Sequence, residues 1–202
     1  MLSQGDFSKT GLTRKIRGFI TFCKCEDFSY FYPGIARGKS GATDMMKLLP
    51  TLTFIAAIGS GVVGGVFFAF SNFVMAALAR LPVPSGIAAM NSINVTVITP
   101  TFMTALFGTG LICLVLIAAV LLGWSQSGSY WLLAGAVIYF IGNPIVTMVF
   151  NVPLNDALAA VDPASANGAA VWANHLSQWV MWNHVRTVTA IVAMACFIMA
   201  LI

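Results

Sequence analysis

From Leu48 to Ile202 the chain carries four formally charged side chains: Arg80, Asp156, Asp162 and Arg186. A water-soluble domain devotes roughly a quarter of its residues to Asp, Glu, Lys and Arg. The whole chain devotes 8%, against 59% hydrophobic residues and a mean hydropathy of +0.90. A stretch this long and this poor in charge is built to lie in lipid. The expected fold is therefore an all-α, integral membrane, antiparallel four-helix bundle. Four apolar segments stand out, at about 50–79, 102–123, 130–150 and 184–202, and crossing a hydrocarbon core takes about 20 residues.

Charge is uneven. Eight of the ten Lys and Arg and four of the six carboxylates fall in residues 1–47, which therefore carry the whole net charge of +4. The division expected is a basic tail, 1–45, and a membrane domain, 46–202. Met45-Met46-Lys47 reads as an alternative start, so the tail is taken as disordered or as a misassigned start. With the tail in place, the excess of positive charge puts both termini in the cytoplasm, where the tail can touch anionic lipid. No nucleic-acid motif accompanies the charge, so nucleic acid is not an expected partner. Cys113 and Cys196 sit inside apolar runs and read as core residues. Cys23-Lys24-Cys25 supplies too few ligands for zinc.

The connections have their own signals. Leu81-Pro82-Val83-Pro84-Ser85 breaks the chain after the first span. Ser85 is a candidate cap for a short helix through Val97, limited by Pro100. Residues 123–130 are short enough to force an antiparallel pair, with Trp124, Tyr130 and Trp131 at interfacial depth. In the third connection Asp162-Pro163 reads as the cap and first residue of a helix that can run into the fourth span. Short extramembrane helices are thus expected in the first and third connections. Ala57, Gly61, Gly65 and Ala69, four apart, mark a flat surface for close helix packing.

Polar residues concentrate where the third span ends and the fourth begins. Asn143, Thr147 and Asn151 are spaced four apart and share a face; Asn155 would continue it if Pro153 did not end or kink the helix. At ~100° per residue, Trp182 and Arg186 each fall within about 20° of His175, flanked by Gln178, Trp179 and Asn183. His184 points to the opposite face from His175, so the two cannot share a metal ion, and no metal site is expected. Antiparallel spans would bring Asn151, Asn155, Asp156, Asn183 and Arg186 to one mouth of the bundle. An apolar pocket with a few convergent polar groups is the usual form of a ligand site. A structural alternative stands beside it: amides bonding neighbouring helices, Trp179 and Trp182 in an interfacial belt, and Arg186 paired with Asp156.

Ala-Leu-Ala-Arg-Leu-Pro at 77–82, Gly-Ile-Ala-Ala-Met-Asn-Ser-Ile-Asn at 86–94, Phe-Asn-Val-Pro-Leu-Asn-Asp at 150–156 and Trp-Asn-His-Val-Arg at 182–186 resemble the anthrone oxygenase family. These are small four-span membrane proteins, mostly bacterial. The resemblance covers about residues 46–202 and implies a bacterial inner-membrane location. It also implies oxidation of a lipophilic anthrone, phenol or quinol by molecular oxygen without a cofactor. It carries over Asn151, Asn155, Asp156, Asn183 and Arg186 as site residues. The chemistry needs a base, an anion clamp and a dry pocket. His184 or Asp156 is the expected base, Arg186 with Asn151 or Asn183 the clamp, and Trp182, with Trp179, the surface against which the ring stacks. Membrane lipid, a lipophilic aromatic substrate and a second copy of the chain are the partners left open. The alternative function is a non-catalytic binder or helper subunit whose polar cluster is structural.

Overall fold

The computed structural model describes residues 39–123 and 127–202, with side chains from Leu48 onward. Asp44–Ile202 form a compact unit. Expectations that fall on residues 1–38 and on Trp124, including the cysteines of the tail, lie outside the described residues. Among the described residues every regular element is helical. Four helices are long and apolar enough to cross a membrane: α1, Leu48–Leu78; α3, Pro100–Leu121; α4, Ser129–Ala159; and α5, Ala166–Leu201. A short helix, α2, Val83–Thr96, lies in the first connection. The chain is an integral membrane protein of all-helical architecture.

Neighbouring spans run antiparallel, which the paired contacts make plain. Gly59 of α1 faces Thr109 of α3, and further along Phe67 faces Phe102. In α4 and α5, Gly135 meets Phe197 while Gly142 meets Thr189. Gly64 of α1 meets Ala190 of α5. The order is up, down, up, down, as short connections require. At the end holding both helix termini, the core is Leu49, Ala56, Cys113, Leu116, Leu132, Tyr139, Ala193 and Phe197. At the other end, here called the loop end, Ile87 and Met90 of α2 pack with Met75, Leu78, Leu158, Trp172 and Trp179. Val63, Phe67 and Leu106 lie between.

Several expectations are corrected. The third and fourth helices extend beyond the segments 130–150 and 184–202: α5 has 36 residues, about 54 Å at ~1.5 Å per residue, longer than a ~30 Å hydrocarbon core, and it does run from the third connection into the fourth apolar segment. Pro153 does not end α4. It sits at the start of Val152–Ala159, directly after the π-helical turn Thr147–Asn151. A widened turn has already broken the regular bonding ladder there, so the missing proline N–H is tolerated. Pro144 likewise lies within a π-helical turn, Ile141–Ile145. Ser85 is not the cap of α2, which starts from Pro82. Asp162-Pro163 forms a turn instead of a helix start: Asp162 accepts from the Ala164 N–H at 3.0 Å. Ser165 is the cap, its hydroxyl accepting from the Gly168 N–H at 2.9 Å. The close-packing surface on α1 departs from expectation at one position. Gly59, Gly61 and Gly64 meet Thr109, Met194 and Ala190, whereas Gly65 has open space beside it.

Candidate functional site

The polar end of the bundle is organised by α5. A π-helical turn, His175–Trp179, interrupts it. The buried face reads Trp172, His175, Trp179, Asn183, Arg186 and Ala190, which at ~100° per residue fall within about 80° of one another, so the face carries on through the turn. Trp182, expected on that face, lies at its edge and stacks on Phe150 with ring centroids 3.7 Å apart and planes 9° from parallel. The carbonyls of these loosened turns are taken up by neighbouring side chains. Asn151 Nδ2 donates to the Trp179 carbonyl at 3.2 Å, and the Tyr139 hydroxyl donates to the Leu106 carbonyl at 3.2 Å. His175 lies between the rings of Trp172 and Trp179.

Arg186 is 4% exposed. Its Nη2 donates to Asn183 Oδ1 at 2.8 Å and its Nη1 to Thr147 Oγ1 at 3.2 Å. Asn183 is itself held by α1, donating to the Phe67 carbonyl at 2.7 Å and to Ser71 Oγ at 2.8 Å. The guanidinium lies 4.0 Å from the Phe67 ring centroid and 5.1 Å from that of Trp179. Among the described residues its hydrogen-bond partners are all neutral. Stacked aromatic faces attract a cation, but they do not neutralise it. A buried charge without a counter-charge is costly, and in a membrane segment it marks a functional position by default.

Beside Arg186 is a cavity of about 240 Å³. Its walls are mostly apolar: Phe67 and Phe70 of α1, Met90 and Ile93 of α2, Phe102 and Leu106 of α3, and Met148 of α4. Asn94, Thr147, Asn151, Asn155, Trp179 and Arg186 complete it. Five of those polar residues carry a buried atom that has no hydrogen-bond partner among the described residues. Asn94 Nδ2, Trp179 Nε1 and Arg186 Nε are donors; Asn151 Oδ1 and Asn155 Oδ1 are acceptors. Native proteins leave few such atoms. Five around one apolar space are the complement of a compact ligand with both acceptor and donor groups. The volume is below the ~300–1,000 Å³ usual for drug-sized ligands, so the ligand is small.

The model of the family described as anthrone oxygenase matches residues 100–196, slightly less than half of the chain. Residues 100–196 are thus similar to the anthrone oxygenase family. No curated protein and no solved structure matches the chain.

Within the matched segment lie α3, α4 and nearly all of α5, with every site residue expected from the sequence. Asn151, Asn155, Trp179 and Arg186 line the cavity. Asn183 is fully buried and acts behind Arg186, which it holds. Trp182 packs on Phe150 outside the lining. Asp156 and His184 are exposed and do not line the cavity. The aromatic walls Phe67, Phe70 and Phe102 were not singled out from the sequence, because apolar residues in an apolar chain offer no contrast. Asn94 lay within the recognised 86–94 block but carried no assigned role. No group of three or more His, Cys, Asp or Glu side chains able to hold a metal ion occurs among the described residues.

Proposed function

We propose that this membrane protein binds a compact, lipophilic aromatic ligand as its anion against Arg186, and that it oxidises an anthrone, phenol or quinol there with molecular oxygen. The observation that carries the reading is the buried Arg186, held only by neutral partners among the described residues, with Nε unbonded at the wall of an apolar cavity. Similarity of residues 100–196 to the anthrone oxygenase family supports the substrate class. For an anthrone the reaction balances on substrate and oxygen alone. The benzylic carbon loses a proton, and the delocalised anion passes one electron to oxygen. The resulting carbon radical and superoxide combine, and loss of water from the peroxide leaves the new carbonyl. One anthrone and one O₂ give one anthraquinone and one H₂O.

In this scheme Arg186 stabilises the anion in a site of low dielectric, where a fixed charge counts for far more than in water. Asn151 and Asn155 orient the ligand through their free carbonyl oxygens, and Phe67 and Trp179 flank its ring. Asp156, next to the lining residue Asn155 at the loop end, is the proton acceptor. His184 faces away from the cavity-lining side of α5. We place the protein in a bacterial inner membrane with both termini cytoplasmic, because positive charge accumulates before the first span.

One observation favours a second reading, a binder without chemistry: among the described residues, no carboxylate or imidazole lines the cavity. Oxygen uptake separates the two. Purified protein given anthrone in air should consume one O₂ per anthraquinone formed, and Arg186→Gln should abolish the gain over the uncatalysed rate. Saturable binding with no oxygen uptake would leave the binder. Neither binding nor turnover across anthrones and quinols would remove both.

A further inference from the structure

We infer that the cavity is filled from the bilayer, through a lateral portal between α3 and α4 framed by Phe107 and Met148. This rests on the reading of the cavity as the ligand site and adds its route of entry. The lining residues divide by exposure. Of the polar ones, Arg186 is 4% exposed and Asn151 1%, while Asn94, Thr147 and Asn155 are half-buried with none fully exposed. Those that reach the surface as large side chains are Ile98 at 68%, Phe107 at 41% and Met148 at 54%, all apolar. A mouth opening to water would carry a polar rim; this one presents the residues that contact acyl chains.

Its position agrees. Phe107 is seven residues into α3, about 10 Å from Pro100 at ~1.5 Å per residue, inside a segment read as spanning the membrane. On the loop side the cavity is walled by Met90 of α2, which is fully buried.

A second observation is independent of exposure. Both helices flanking the mouth are π-helical there: Thr104–Gly108 contains Phe107, and Thr147–Asn151 contains Met148. Such turns lack the regular ladder and cluster at functional sites. A helix pair loosened at the same level on both sides can part by small side-chain and backbone shifts without breaking either span. A greasy ligand concentrated in the bilayer then reaches Arg186 without crossing the polar loop end.

The test uses full-length protein in phosphatidylcholine nanodiscs, mixed anaerobically with anthrone and followed by tryptophan fluorescence. Met148→Trp adds bulk at the mouth and Met148→Ala removes it. If the portal is the route, Met148→Trp slows association and dissociation together by about tenfold, and Met148→Ala speeds both. Unchanged rates, or a weaker Kd with unchanged association, would overturn the portal. A second arm needs no ligand. Phe107→Trp, compared with the unsubstituted protein in vesicles of phosphatidylcholine brominated in the upper acyl chain, should show added quenching. If anthrone does not bind at all, the ligand reading fails while this arm still decides whether the mouth faces lipid; no added quenching overturns it.

Discussion

Asn183 accepts a 2.8 Å hydrogen bond from Arg186, three residues further along α5, while its own amide donates to the Phe67 carbonyl and Ser71 on α1. One side chain thus ties the buried cation to the first span and sets where the guanidinium points. Asn183→Leu leaves Arg186 Nη2 and the Phe67 carbonyl unpaired. It should destabilise the protein by about 1–3 kcal/mol and weaken anthrone binding as the guanidinium swings. Asn183→Asp places a negative charge on the same cation and should abolish binding of an anionic ligand. Thermal unfolding in detergent and anaerobic anthrone titration read the two effects. Binding by Asn183→Asp as tight as by the unsubstituted protein would mean that the ligand does not sense the charge of Arg186.

The α4–α5 interface is set by a glycine. A Cβ on Gly142 would meet the Thr189 side chain, whose hydroxyl also accepts a 3.3 Å hydrogen bond from Asn143 Nδ2. Gly142→Ala should therefore cost about 1–3 kcal/mol through overpacking, and adding Thr189→Ala should recover only part of it, because alanine keeps the Cβ that the new methyl meets. A single substitution without effect on the unfolding midpoint would show that the helices separate there with little penalty.

Asp156 and His184 separate binding from chemistry. Both are exposed and neither lines the cavity, so Asp156→Asn and His184→Gln should leave anthrone affinity within about threefold, as for residues away from a buried ligand. Oxygen uptake should fall in Asp156→Asn alone. Loss in His184→Gln with normal uptake in Asp156→Asn would assign the proton to the other residue.

Much of the fold was legible because charge is so scarce. With four charged residues from Leu48 onward, the spans stood out, and the antiparallel order followed from the short connections. Asn151, Asn155, Trp179 and Arg186, named from the sequence, do meet at one cavity. What escaped was the centre of the face. A stripe drawn through His175, Trp182 and Arg186 at ~100° per residue was centred too far to one side; Trp172, Trp179, Asn183 and Ala190 are buried with His175 and Arg186, which leaves Trp182 at the edge. Pro153 misled because a proline beside a widened turn need not end a helix. The aromatic walls escaped because hydrophobic contrast, which locates a core face in soluble helices, is absent where every face is apolar.

The central claim is that buried Arg186 holds the ligand as an anion. Anaerobic spectroscopic titration of bound anthrone measures this directly, because the ketone and its anion absorb differently and no oxygen chemistry intervenes. Bound to the unsubstituted protein, anthrone should ionise about 1–3 pH units below its value in detergent alone, the usual effect of a close opposite charge. Arg186→Gln should remove that shift. Equal ionisation of the bound ligand in both proteins would contradict the account.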